Sequence, residues 1–297
     1  MIKLKNILET SQPYSKNISE LSVGMASLHA NTTFKNSFDL YKQDSRVLYR
    51  GISDKYRGNY YYVNPRTAAR ISKDSNNLYV ALMDALPSWN GYPKRSRSII
   101  VGTSESVAED YGDIFLVFLK YNANVAVCSE DDLWKGMPYL MRKTNVNGLD
   151  TYMMGLNELL MSVSRYDDKI PDIETKTYSE NNIEEFFQGM IYLTKEVLEK
   201  SISDRLVWSA AARISKNMLL SSSDAKNGWR NYFNDLFDPV NNGISLSSVS
   251  ELPYDEKHEC WSDSDALLVK DEDQAVRILY KYKPPDPNQQ TLDFGNV

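Results

Sequence analysis

The sequence is poor in the residues that build disulfides and metal centres. Its 297 residues include only two cysteines, Cys128 and Cys260, and two histidines, His29 and His258. Neither cysteine lies in a spacing typical of a metal or redox site, and a chain of this length buries enough surface to fold without disulfides. A reducing, cytoplasmic compartment and no metal are therefore expected.

Long apolar runs are also missing. No stretch approaches the ~20 apolar residues that cross a bilayer, and the first residues lack the apolar core of an export signal. The sequence therefore predicts no membrane partner. Hydrophobic residues make up 42% and charged residues 25%, as in an ordinary globular protein. A net charge of -6 argues against binding nucleic acid through a global positive field.

Several familiar catalytic signatures are absent. The chain has no Gly-x-Ser-x-Gly, Walker-type or Rossmann-type glycine loop. His258 stands near Asp255, Glu256, Glu259 and Cys260, but these residues lack zinc-type spacing. We interpret this cluster as a solvated acidic loop.

The apolar pattern changes along the chain. Consecutive apolar residues predict strands at 98–101, 114–119 and 125–128 and again at 244–249, 265–269 and 275–282, with a helix at 77–86. Helical spacing prevails from 149 to 237, where three or four helices are expected. The predicted organisation is a helical N-terminal region (1–44), an α+β core (45–148 and 243–282), a helical insertion (149–242) and a proline-rich flexible tail (283–297).

Three short segments, each read as a strand end, carry the chemistry that stands out. Arg50 ends the first, Thr103 and Ser104 follow the second, and Asp263 and Asp265 begin the third. A cation, hydroxyls and a carboxylate on one sheet suit the binding of an anionic nucleotide and the stabilisation of a sugar cation. The two hydroxyls are also expected to cap a helix at 105–111.

The order of these segments resembles the ADP-ribosyltransferase superfamily, in the branch with an arginine, a Ser-Thr-Ser-like motif and a late acidic motif. The matching residues are Leu-Tyr-Arg-Gly at 48–51, Gly-Thr-Ser at 102–104 and Asp-x-Asp at 263–265. The resemblance covers residues 46–128 and about 244–282. It implies an α+β fold with a split mixed or antiparallel sheet. It also implies NAD as substrate and transfer of one ADP-ribose to a protein or nucleic-acid acceptor.

The resemblance also implies roles for individual residues. Arg50, with Tyr49 and Gly51 beside it, would bind the diphosphate of NAD, and Thr103 or Ser104 would orient the ribose. Asp265 would stabilise the oxocarbenium-like charge, and Asp263 would position the acceptor. The family's late acidic residue is usually glutamate, and aspartate is about 1.5 Å shorter. Gly102 stands where the family has its first serine.

Two other functions remain open at this point. The fold could serve as a catalytically inactive binding or scaffold module. It could also carry a related glycosyl-transfer or glycohydrolase activity on NAD or on nucleic-acid sugars. Taken alone, Arg50 is typical of a surface ion pair, and the two aspartates are typical of a solvated strand edge.

The tail carries a separate motif. Gln289, Leu292 and Phe294 resemble the Gln-x-x-Leu-x-Phe peptide by which bacterial and phage-linked replication proteins bind the sliding clamp. A flexible linker before an apolar anchor suits such a peptide. A phage-encoded protein in a bacterial cytoplasm would fit this partner. Packing of Leu292 and Phe294 on their own domain is the alternative.

Overall fold

The computed structural model describes residues 17–53, 55–69, 77–165, 168–171, 173, 177–203, 209–221 and 225–281. The tail motif at 289–294 lies outside these residues. The described part contains nine strands: β1 (Ile18–Glu20), β2 (Leu48–Ile52), β3 (Tyr60–Val63), β4 (Ile99–Gly102), β5 (Asp113–Leu119), β6 (Asn124–Val127), β7 (Ser245–Ser248), β8 (Glu259–Ser262) and β9 (Ala266–Val269).

Eleven α-helices accompany the strands in the same part of the chain. They are α1 (Val23–Asn31), α2 (Lys35–Asp44), α3 (Leu78–Ala85), α4 (Glu105–Ala108), α5 (Pro138–Thr144), α6 (Leu149–Val163), α7 (Ile183–Met190), α8 (Lys195–Ser203), α9 (Ser209–Ser221), α10 (Ala225–Leu236) and α11 (Glu272–Lys281). The predictions of strands at 98–101, 114–119 and 125–128 and of a helix at 77–86 are confirmed to within a residue or two.

The nine strands form one open sheet in which every pair is antiparallel. Their order is β1-β3-β9-β5-β2-β4-β8-β6-β7. Sequence-distant strands are thus neighbours: β2 lies beside β4, and β4 beside β8. The chain is a mixed α/β protein built on this sheet.

The shortest strand pairing among the described residues is the one between β2 and β4. These strands share a single residue pair, Tyr49 with Gly102, whereas β2 and β5 share five. Only residues 263–265 join β8 to β9, although three strands separate them in the sheet. Four Cα steps reach about 15 Å, less than the roughly 19 Å of four flat interstrand spacings. The sheet is therefore curved between β9 and β8 rather than flat. We refer to β1-β3-β9-β5-β2 and β4-β8-β6-β7 as its two half-sheets.

Helices cover the outer face of each half-sheet. Phe38 of α2 stacks on Phe118 of β5 with ring centroids 3.7 Å apart, in a cluster that also holds Ala275 and Ile278 of α11. The insertion helices form a second cluster with Trp261 of β8. A third cluster between the layers draws residues from both half-sheets. These cores fix the relative positions of β2, β4 and β8.

The predicted strand at 275–282 is wrong, because residues 272–281 form α11. Ala275, Ile278 and Leu279 recur at helical spacing, and Ala275 and Ile278 are completely buried. The Asp271 carboxylate accepts a hydrogen bond from Gln274 N at 2.8 Å, which caps the first turn. The apolar and aromatic residues of this segment resemble those of a strand, although only one side of the segment faces the core.

The helical insertion contains more helices than the three or four expected. In the part of 149–236 that the structure describes there are five, α6 to α10, and α5 precedes them. Phe186, Phe233 and Phe237 are fully buried among these helices. The region expected to be helical at 1–44 also contains a strand, β1, which pairs with β3.

Candidate active site

Three adjacent strands place the backbones of the arginine, hydroxyl and glutamate segments side by side. Gly102 of β4 lies opposite Tyr49 of β2 on one side and opposite Glu259 of β8 on the other. Arg50 follows Tyr49, and Thr103 follows Gly102. Two interstrand spacings of about 4.8 Å separate the backbones of Tyr49 and Glu259. The strand segments that meet at this register, on β2, β4 and β8, are therefore the candidate site.

Arg50 spans the place where β2 and β4 part. Its Nη1 donates a hydrogen bond to the carbonyl oxygen of Ile100, two residues before the single β2–β4 pair. The guanidinium of Arg50 is thus held against β4 rather than directed into bulk solvent. An arginine held in this way can present its other N–H donors to a phosphate or diphosphate.

Gly51 and Tyr49 lie under the segment that follows β4. A Cβ on Gly51 would overlap the Ala108 carbonyl oxygen, so only glycine allows this close approach. The Tyr49 side chain is half-buried. Burial raises the pKa of the Tyr49 phenol, and the charges of Glu105 and Glu272 add to the effect.

Thr103 holds the acidic loop before β8. Its Oγ1 donates to the Glu256 carbonyl oxygen at 2.5 Å and accepts from His258 N at 2.9 Å. Thr103 N donates to the His258 carbonyl oxygen at 3.1 Å. The Thr103 side chain is buried, and its hydroxyl forms its hydrogen bonds with this loop.

The expected cap of the following helix is not formed. Ser104 is the N-cap residue of α4, yet its side chain accepts no hydrogen bond from the helix backbone. Its Oγ lies 3.1 Å from Ser106 Oγ instead. The prediction that Thr103 and Ser104 cap this helix is wrong, because the Thr103 hydroxyl is used across the sheet.

Both ring nitrogens of His258 make contacts that hold the acidic loop in place. Its Nδ1 lies 2.8 Å from the Cys128 carbonyl oxygen, and its Nε2 lies 2.9 Å from a carboxylate oxygen of Glu256. Within the described ranges, no three His, Cys, Asp or Glu side chains are grouped so that they could hold a metal ion. The Glu256 carboxylate is exposed at the end of this loop.

Glu259 is the carboxylate that the sequence analysis did not select. It begins β8, is 5% exposed, and places Oε1 2.5 Å from Arg95 Nη2. Its Oε2 accepts a hydrogen bond from Leu133 N at 3.3 Å. The sequence signal was present: a glutamate immediately before the Cys-Trp-Ser strand, at the end of the acidic loop.

A second carboxylate, Asp132, lies in the turn that covers Glu259. Residues 129–135 form turns here. Burial raises the pKa of Asp132 to about 6, with a further contribution from the charge of Glu259. The Asp132 Oδ1 accepts from Trp134 N at 3.0 Å.

Asp265 lies elsewhere in the sheet. Arg50 pairs with Phe115 of β5, whereas Ala266, next to Asp265, pairs with Leu119 of β5. Four residues of β5 correspond to about 13 Å along the strands, in addition to two interstrand spacings of about 4.8 Å. The structure therefore does not bring Asp265 to Arg50.

The surroundings of Asp265 are those of a structural ion pair. Its carboxylate, 6% exposed, binds Lys120 and lies 3.3 Å from Arg66 Nη2. Burial raises the pKa of the Asp265 carboxyl, but hydrogen bonding and charge from Lys120, with help from Tyr62 and Arg66, hold it below its usual value. Asp263 is partly exposed in the turn between β8 and β9.

A separate cavity of about 370 Å³ lies between α3 and the insertion. Its charged lining is paired within the protein, Lys94 with Glu180 and Arg230 with Glu184. The Trp89 indole, also in the wall, donates to the Phe237 carbonyl oxygen at 2.9 Å. Residues of the core and of the insertion both line this cavity. Because these charged side chains bind one another, the cavity offers few polar groups to a ligand.

None of the family models, curated proteins or solved structures compared with this chain matches it. The described helices include none that is long and apolar enough to cross a membrane.

Proposed function

We propose that the chain is an NAD-dependent mono-ADP-ribosyltransferase with an ADP-ribosyltransferase-like split sheet. The observation that carries the proposal is the register of β2, β4 and β8, which aligns the arginine, hydroxyl and glutamate segments on neighbouring strands. The resemblance in sequence order gives the same cation, hydroxyl and carboxylate set. The carboxylate in the aligned set is Glu259.

The residues of the candidate site have separate chemical roles in this proposal. Arg50 binds the diphosphate of NAD, and Glu259 stabilises the positive charge that develops on the ribose as the nicotinamide bond breaks. Thr103 keeps the acidic loop in place, so Glu256 at its exposed end can meet the acceptor. Asp265 has no chemical step and acts as an ion-pair partner.

The acceptor is a protein or nucleic acid, and the proposed location is the cytoplasm of a bacterial cell, with a phage as the source of the gene. Both cysteines are buried and unpaired, and burial raises the pKa of the Cys128 thiol to about 12. Such thiols are poor nucleophiles and suit a reducing compartment. A sliding clamp remains the proposed partner of Gln289, Leu292 and Phe294.

The burial of Glu259 favours one competing function, a binding module on the same fold that does not turn over NAD. The two functions separate when the full chain is incubated with NAD labelled in its adenylate phosphate and a bacterial lysate. A transferase labels a macromolecule, and Arg50→Ala abolishes the label. A glycohydrolase releases only free ADP-ribose and nicotinamide, and a binding module leaves NAD intact. Either of the last two results contradicts the proposal.

A further inference from the structure

We propose that Arg95 is the positioning residue of Glu259: it holds the buried carboxylate in one fixed direction. The catalytic part of this inference rests on the proposed function. The pairing itself can be tested without NAD.

The contact between the Arg95 and Glu259 side chains is short and buried from solvent. Arg95 is 4% exposed and Glu259 is 5% exposed, and their nearest atoms are 2.5 Å apart. The Arg95 guanidinium also lies over the Trp261 ring at 4.7 Å. An ionised carboxylate in such surroundings is costly unless a charge partner and hydrogen bonds compensate.

The pairing is exclusive within the part of the chain that is described. Glu259 is the carboxylate that Arg95 binds, while Nε and Nη1 of Arg95 are buried without a hydrogen-bond partner. Among these residues, Arg95 therefore forms its ion pair with Glu259 alone.

The backbone of Arg95 is itself fixed. It begins the short turn Arg95–Arg97 that leads into β4, and the Asp84 carboxylate accepts from Arg95 N at 2.7 Å and from Ser96 N at 3.1 Å. Helix α3 thus anchors the turn, the turn anchors Arg95, and Arg95 together with Leu133 N occupies both oxygens of Glu259. This arrangement fixes the direction of the carboxylate relative to β4.

A double-mutant cycle on thermal stability tests the pairing in the full chain. Arg95→Met leaves a buried charge uncompensated, so we expect the melting temperature to fall by several degrees. We expect Arg95→Met to cost clearly less in the Glu259→Gln background, where no charge remains to be paired. Arg97→Met is the matched control, since Arg97 is exposed in the same turn, and it should leave the melting temperature unchanged. Equal costs of Arg95→Met in both backgrounds would overturn the inference.

Turnover tests the positioning role. Arg95→Met should lower kcat for NAD about 100-fold or more while leaving the Kd of NAD within about twofold, because a misaimed group costs rate rather than affinity. Arg95→Lys, which keeps the charge, should restore part of kcat. Unchanged kcat in Arg95→Met would overturn the role. A wild-type chain without turnover would contradict the proposed function and the positioning role, while the stability cycle would still decide the pairing.

Discussion

Glu259 lies directly opposite Gly102 across β8 and β4, and Gly102 lies opposite Tyr49 across β4 and β2. This register places three segments that are far apart in the chain on neighbouring strands. Asp265 lies away from them and is bound to Lys120 and Arg66. The following predictions depend on this difference.

Arg50→Ala should weaken binding of NAD by roughly 10- to 100-fold, because hydrogen bonds to a charged group contribute about 1.5–3 kcal/mol each. The NAD affinity of Arg50→Lys should lie between those of wild type and Arg50→Ala, since lysine keeps the charge but lacks the planar guanidinium. Isothermal titration of NAD into the full chain measures the effect. Equal affinity in wild type and Arg50→Ala would remove Arg50 from the site.

Thr103→Val should destabilise the fold by about 1–3 kcal/mol, because the buried hydroxyl bonds both Glu256 O and His258 N. Thr103→Ser keeps the hydroxyl and should recover most of the loss. Urea unfolding followed by fluorescence gives the difference. If Thr103→Val unfolds at the wild-type urea concentration, the hydroxyl does not hold the loop.

Gly51→Ala should cost about 1–3 kcal/mol or more, since the added methyl group would overlap the Ala108 carbonyl oxygen. Gly228→Ala is the matched control. No atom lies within 4 Å of a Cβ placed on Gly228, which is inside α10. Alanine there should stabilise the helix by roughly 0.5–1 kcal/mol. Similar unfolding midpoints for the two variants would argue against close packing at Gly51.

Asp132→Asn should stabilise the protein near neutral pH. The pKa of Asp132 is about 6 in the folded chain and about 3.9 in an unfolded one. Between these values the folded chain binds more protons, so the Asp132 contribution to stability falls as pH rises and reaches its lowest level above about pH 6. Urea midpoints should therefore differ most at pH of about 7.5 and converge only below about pH 4. A difference that grows on acidification would contradict this sign.

Local patterns predicted much of the fold. The apolar runs at 98–101 and 114–119 were recognisable as strands, and the helical spacing at 149–237 was recognisable as an insertion. The pattern failed at 275–282, where the segment has only one buried side. It also could not select between Glu259 and Asp265, since the pairing of β8 with β4 is a long-range contact that no local periodicity encodes. The aliphatic residues after Asp265 favoured the start of β9 over the start of β8, where Glu259 lies.

The most direct test measures NAD turnover by wild type, Glu259→Gln and Asp265→Asn in parallel, with each variant first shown to be folded at the assay temperature. We expect Glu259→Gln to lose about 100-fold or more in kcat, as when an electrostatic stabiliser of a transition state is removed. Asp265→Asn should keep most of the wild-type rate and lose thermal stability. Full activity in Glu259→Gln together with an inactive, folded Asp265→Asn would contradict the account.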